Sequence, residues 1–119
     1  SCIKEISEIG KFLLMKLQTK GVIVTLGRDG MIVIDDDSHA VHIPALAKQV
    51  YDVTGAGDVV TSTLSLAISV GATLKEAAVL GSVAAAIKVG KIGTATVTRE
   101  EIKALLNSIN DSIIIKDVQ

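Results

Sequence analysis

Apolar residues near the start of the chain fall three and four apart at Ile6, Ile9, Leu13 and Leu17. That is the spacing of one helix face, so the pattern predicts an amphipathic helix over Ile3–Leu17, ended by Lys20-Gly21. The pattern then changes. "VIVTL" (22–26) is a β-branched run without clean alternation, as expected of a strand buried on both faces. Gly27-Arg28-Asp29-Gly30 reads as a turn, "MIVID" (31–35) as a second strand, and "DDDS" (35–38) as another turn. "HAVHI" (39–43) is a third strand, ended by Pro44. The middle of the chain is thus predicted to be a β-meander with its first strand the most interior.

Beyond the meander the period returns to that of helices. Gly57-Asp58 opens a helix of small residues reaching about Val70, closed by Gly71. Thr73 with Glu76, and Thr98 with Glu101, have the spacing of capping boxes. They predict an alanine-rich helix that packs closely on its neighbour, and a last helix to about Ile109. The tail "DSIIIKDVQ" fits either a short strand or an ordered terminus. A meander flanked by helices leaves a sheet that needs further neighbours to cover both faces. The chain is therefore expected to pack on additional sequence or on a partner chain, with homo-oligomerisation one way of doing so.

Composition narrows the classes. The 119 residues are 49% hydrophobic with net charge −1, which allows one modest core and argues against a nucleic-acid footprint. A single cysteine excludes an internal disulfide and points to a cytoplasmic setting. The longest uncharged stretch, Val59–Leu74, is too short and too rich in Ser and Thr to span a bilayer. No secretory signal pattern is present. The chain opens on Ser, which reads as a piece of something larger.

The chemistry concentrates in "VYDVTGAGDVV" (50–60). Gly55-Ala56-Gly57 lets the backbone turn sharply into a helix, whose free amides and dipole make an anion site. Asp58 then sits in the first turn, where its charge would repel a phosphate unless it faces the incoming nucleophile. A hydroxyl deprotonated by Asp58, attacking a phosphoryl group held by the loop amides, removes that conflict. The plainer reading is a glycine turn followed by an ordinary helix-start carboxylate. The string is neither a Walker loop nor a dinucleotide fingerprint. Asp52 is either a capping or turn residue, or part of a cation site or a brace for the loop. Thr25 and Gly27 follow a strand, where open α/β sheets place ligands; the plainer reading is a β-turn, which Gly30 alone would explain. His39 and His42 are expected on opposite faces of a strand, and Asp35–Asp37 reads as a solvated turn.

"DVTGAGD" (52–58) resembles the signature of the ribokinase-like (PfkB-type) carbohydrate kinases. Together with "VTLGRDGM", "HIPALAKQVYDVTGAGDVV" and "KVGKIGTATVTREEI" it is most similar to the bacterial D-glycero-β-D-manno-heptose 7-phosphate kinase domain. The resemblance runs from about Lys20 to Leu105. It implies an α/β, three-layer ribokinase-like (Rossmann-like) sandwich, of which residues 1–119 are the C-terminal nucleotide-binding part, without the lid and the N-terminal sugar-binding part. It implies ATP-dependent phosphorylation of a sugar hydroxyl, with ATP and a sugar phosphate as small-molecule partners and Mg²⁺ travelling with the nucleotide. Asp58 would be the catalytic base and Gly55, Ala56 and Gly57 the anion hole. Thr25 and Gly27 would lie along the ATP phosphates, and Ser82 and Ala86 in the adenine pocket, where many members carry a larger Asn or His. Asp52, Thr54, Lys88 and Gly93 would match a monovalent-cation (K⁺) site. With most sugar-reading residues absent, the chain alone is expected to be weakly active or inactive. Two other readings stay open: a kinase of this type for another sugar or a nucleoside, and a non-catalytic nucleotide-binding or scaffolding piece.

Overall fold

The computed structural model describes residues 2–47, 53–91, 96–109 and 116–118. The elements run α1 (Cys2–Leu17), β1 (Gly21–Thr25), β2 (Met31–Asp35), β3 (Ala40–Ile43), α2 (Ala56–Ser69), α3 (Leu74–Val89), α4 (Arg99–Ile109) and β4 (Lys116–Asp117). The strands form one antiparallel sheet in the order β1-β2-β3-β4. The meander is as expected, and the tail resolves as a short strand, with Lys116 opposite His42 and the Val118 amide donating to the Ala40 carbonyl.

The sheet separates two apolar layers. Met31, Val33, Val41 and Ile43 point to one side, where Val60 of α2 and Ala78 of α3 meet them. Ile32, Ile34 and Ala40 point to the other, against Leu14 of α1. This is the period-2 alternation of a strand covered on both faces, and it makes the expected three layers of helix, sheet and helix. The interior strand is β2, however, not β1. Met31 to Ile34 are all buried, whereas β1 is only half-buried and its Thr25 is exposed. The reason is position: β2 lies between two strands, while β1 pairs with β2 alone among the described residues.

Helix α1 has the expected bounds but turns a different stripe inward. Ser7, Gly10 and Leu14 are buried, with Ile3 and Ile6 beside them, while Ile9 is 60% and Leu17 62% exposed. Gly10 explains the rotation. A Cβ there would come within 2.2 Å of Ile34 Cδ1, so the missing side chain is what lets the helix approach the sheet. The buried Ser7 hydroxyl is satisfied by donating to the Ile3 carbonyl at 2.9 Å. The remaining apolar side chains of α1, among them Phe12 and Met15, face outward.

On the opposite side α2 and α3 pack closely, as the alanine content predicts. Ala77, Ala78, Val83 and Ala84 are buried, and Gly81 lies where a Cβ would touch Leu64 at 3.4 Å. α3 also touches β2, β3 and α4, so it is covered on several sides. Both capping boxes form. The Glu76 amide donates to Thr73 Oγ1 at 3.1 Å while the Thr73 amide donates to Glu76 Oε1 at 2.9 Å. Thr98 and Glu101 repeat the pair at 3.2 and 3.1 Å.

Candidate functional site

A cavity of about 640 Å³ opens where β1 ends and α2 begins. Its first wall is the turn between β1 and β2, through Thr25, Gly27, Arg28 and Gly30. Residues 27–29 make one 3₁₀ turn, closed by the Leu26 amide on the Gly30 carbonyl at 2.8 Å and the Gly30 amide on the Gly27 carbonyl at 3.1 Å. Gly30 has φ +87°, and a Cβ there would sit 2.0 Å from the Ile43 carbonyl oxygen. The turn therefore lies flat on the end of β3, a closeness only glycine permits. His42 Nε2 and the Asp29 carbonyl, 2.6 Å apart, tie the same turn to β3.

The second wall is the start of α2, through Val53, Ala56, Gly57 and Val60. Gly55 is the N-cap, left-handed at φ +77°, and supplies no side-chain cap. The Ala56 amide is taken by the Val53 carbonyl at 3.1 Å. Helix geometry leaves the Gly57 and Asp58 amides without an intrahelical acceptor, and a Cβ on Gly57 would meet nothing within 4 Å. The loop thus presents open space at the positive end of a helix. The hydroxyls that follow are satisfied locally: Thr61 donates to the Gly57 carbonyl, Thr63 to Val59 and Ser65 to Thr61.

The third wall is the second half of α3, with Ser82, Ala85, Ala86 and Val89. Ser82 is 4% exposed, and its hydroxyl is buried without a hydrogen-bond partner among the described residues. A buried orphan hydroxyl is uncommon in a folded chain, and this one belongs to the lining of the cavity.

Six of the residues named from sequence, Thr25, Gly27, Ala56, Gly57, Ser82 and Ala86, are therefore assembled around one space. Asp58 follows Gly57 as an exposed first-turn carboxylate and does not line the cavity. Gly55 caps the helix behind the lining residues, and Thr54 is exposed. Asp52 and Gly93 lie outside the described residues. The Lys88 carbonyl accepts from the Gly90 and Lys91 amides, while its side chain is buried and its Cε lies 3.8 Å from where a Gly55 Cβ would stand.

Arg28 and Gly30 of "GRDG" line the cavity as well, beyond the residues the sequence points to. Nothing in the string says that the turn folds back over a cavity. His39 and His42 part company: His39 Nε2 is 3.1 Å from Asp117 Oδ1, whereas His42 faces Asp29. Asp35 closes its turn by accepting from the Asp37 and His39 amides.

A glycine loop at a helix N-terminus, facing the carboxyl end of a strand in a three-layer α/β fold, is the layout of proteins that hold anionic ligands. Comparison narrows the class. The profile of the pfkB family of carbohydrate kinases matches residues 2–101, and the chain belongs to that family. It is 45% identical over 98 residues to the bifunctional protein HldE of Nitrosococcus oceani, covering 82% of this chain and 21% of that protein. A ribokinase from Thermotoga maritima superposes with a TM-score of 0.73 at 33% identity, over 82% of this chain and 33% of its own. The Arabidopsis thaliana ribokinase complexed with ribose and ATP gives 0.70 at 29% identity, over 77% and 30%. The fold is ribokinase-like, and the chain spans about a fifth of the curated relatives it matches and about a third of the solved kinases.

Proposed function

We propose that these residues are the nucleotide-binding part of an ATP-dependent sugar kinase whose sugar-binding part and lid lie in other sequence. The observation that carries this reading is the single cavity assembled from three distant stretches of chain: the turn after β1, the glycine loop and α3. Its volume of about 640 Å³ is in the range of small-molecule sites. Its walls are small and apolar near Ser82 and Ala86, as suits a base. The same lining includes Gly27, Gly30, Gly57 and Arg28, as suits phosphates.

In this reading the Gly55–Gly57 loop holds the transferring phosphoryl oxygens, and Thr25 and Gly27 lie along the phosphate chain. Asp58 takes the proton from the attacking sugar hydroxyl, which places it beside the phosphate loop and outside the lining of the cavity. Mg²⁺ accompanies the nucleotide and neutralises its phosphate charge. The only group of three converging acidic side chains among the described residues is Asp35, Asp36 and Asp37, in the β2–β3 turn. Asp52, Thr54, Lys88 and Gly93 remain the proposed surroundings of a monovalent cation such as K⁺.

The proposed acceptor is D-glycero-β-D-manno-heptose 7-phosphate, giving the 1,7-bisphosphate. The motif resemblance and the identity to HldE proteins support that choice over another sugar or a nucleoside. The outward apolar face of α1 and the side of β1 that has no strand partner among the described residues are the proposed seat of the remaining kinase sequence. The proposed setting is cytoplasmic; no described helix is long and apolar enough to cross a membrane. The test uses the longer protein that contains this chain, with heptose 7-phosphate, ATP and a coupled assay of ADP release. Asp58→Asn should cut kcat by at least about 100-fold while the KM for ATP moves little. Unchanged turnover would remove Asp58 from the chemistry and the kinase reading with it.

A further inference from the structure

Among the described residues, Arg28 is the one charged residue in the lining of the cavity, and no carboxylate stands in that lining to neutralise it. The rest of the lining is apolar or glycine, apart from the hydroxyls of Thr25 and Ser82. None of the ion pairs among the described residues uses Arg28. The next residue, Asp29, lies outside the lining and meets His42 Nε2 through its carbonyl.

The turn that carries Arg28 is held firmly. The Asp29 amide donates to the Leu26 carbonyl and the Gly30 amide to the Gly27 carbonyl, both at 3.1 Å, while Gly30 is packed against the end of β3. The backbone under the guanidinium is therefore set before any ligand arrives, and only the side chain is left to order. A guanidinium offers five donors, no acceptor and a permanent charge. An exposed arginine on a turn is ordinarily satisfied by water. This one borders an apolar cavity whose lining holds a second unmet polar group, the Ser82 hydroxyl, 4% exposed and without a partner among the described residues.

We propose that Arg28 is a specificity-determining residue of the cavity: its guanidinium pairs with the phosphates of a nucleotide, so that the site prefers a nucleoside triphosphate to the bare nucleoside. This rests on reading the cavity as a nucleotide site and deepens it. Backbone amides supply neutral donors there, and Arg28 supplies the full positive charge of the described lining. The planar fork can bond two phosphate oxygens at once, which a lysine cannot match.

The test uses the 119-residue chain with two probes that differ only in the phosphates, ATP and adenosine. Calorimetry should show Arg28→Gln weakening ATP by at least about tenfold, the scale of a charge-assisted contact, with adenosine affinity unmoved. Arg28→Lys should recover only part of the loss. Because Arg28 is exposed, neither variant should change the melting temperature of the free chain, and the difference between Arg28→Gln and the unsubstituted chain should shrink as salt is raised. An Arg28→Gln chain that binds ATP normally, equal losses for ATP and adenosine, or no ATP binding by the unsubstituted chain would each overturn the proposal. Arg28-dependent ATP binding combined with no sugar phosphorylation by the longer protein would instead uphold the role of Arg28 and refute the kinase reading.

Discussion

Lys91 Nζ lies 2.6 Å from Glu101 Oε2 and also donates to the Thr96 carbonyl at 2.8 Å. One ammonium thus ties the end of α3, the segment before α4 and the first turn of α4 together. Glu101 is held below its ordinary pKa, first by the Lys91 ammonium and then by the Thr98 amide it caps. A carboxylate depressed in the folded state contributes stability that is fully present above its unfolded pKa, about 4.3. That contribution is lost as pH falls through the lowered folded value. Helicity followed by circular dichroism from pH 7 to 2 should therefore include an acid-side loss from α4. Glu101→Gln should remove that component and lower helicity already at pH 7. Identical acid titrations for the two chains would contradict this account.

Gly27 and Gly30 bound the same turn and should respond differently to alanine. Gly27 has φ +60° with nothing within 4 Å of a Cβ, so Gly27→Ala should cost only the left-handed strain, about 1 kcal/mol. Gly30→Ala would drive a Cβ to 2.0 Å from the Ile43 carbonyl oxygen. Its backbone cannot yield without moving β3, and the expected cost is about 3 kcal/mol or more. Urea melts of the two variants would check the order, and equal midpoints would refute it.

Ser82→Ala removes a buried hydroxyl that has no partner among the described residues. Stability should stay level or rise by up to about 1 kcal/mol, while ATP affinity falls by roughly three- to tenfold. The opposite signs are the point. A hydroxyl serving only the fold would lower stability on removal and leave the nucleotide unaffected, and thermal melts with and without ATP separate the two cases.

Thr73→Ala breaks the cap of α3 that Glu76 completes. The expected loss is about 1 kcal/mol. The Glu76 pKa, lowered first by the Thr73 amide and then by the Thr73 hydroxyl, should move only part of the way back toward its ordinary value in an NMR titration, because alanine keeps the amide. A carboxyl shift unchanged by the substitution would rule out the hydroxyl as a contributor.

Local rules were enough for much of this molecule. Turn glycines, β-branched runs and the two threonine–glutamate caps predict the meander, the ends of α3 and the start of α4, because each depends on hydrogen bonds within a few residues. The glycine loop was legible for the same reason: its free amides follow from where a helix begins. What periodicity could not decide was orientation. Helix α1 carries more apolar residues than one sheet face can cover, so Ile6, Ile9, Leu13 and Leu17 looked like its inner stripe. The close approach at Gly10 to Ile34 instead turned Ser7 and Leu14 inward. Likewise the "VIVTL" run has the composition of an interior strand, yet burial depends on how many neighbours a strand has, and β2 has two. The burial of Lys88 under Gly55, the orphan hydroxyl of Ser82 and the place of Arg28 in the cavity wall all join residues far apart in the chain. Spacing along a sequence carries information about one helix or one strand; which of those elements meet, and at what angle, is decided by packing the whole.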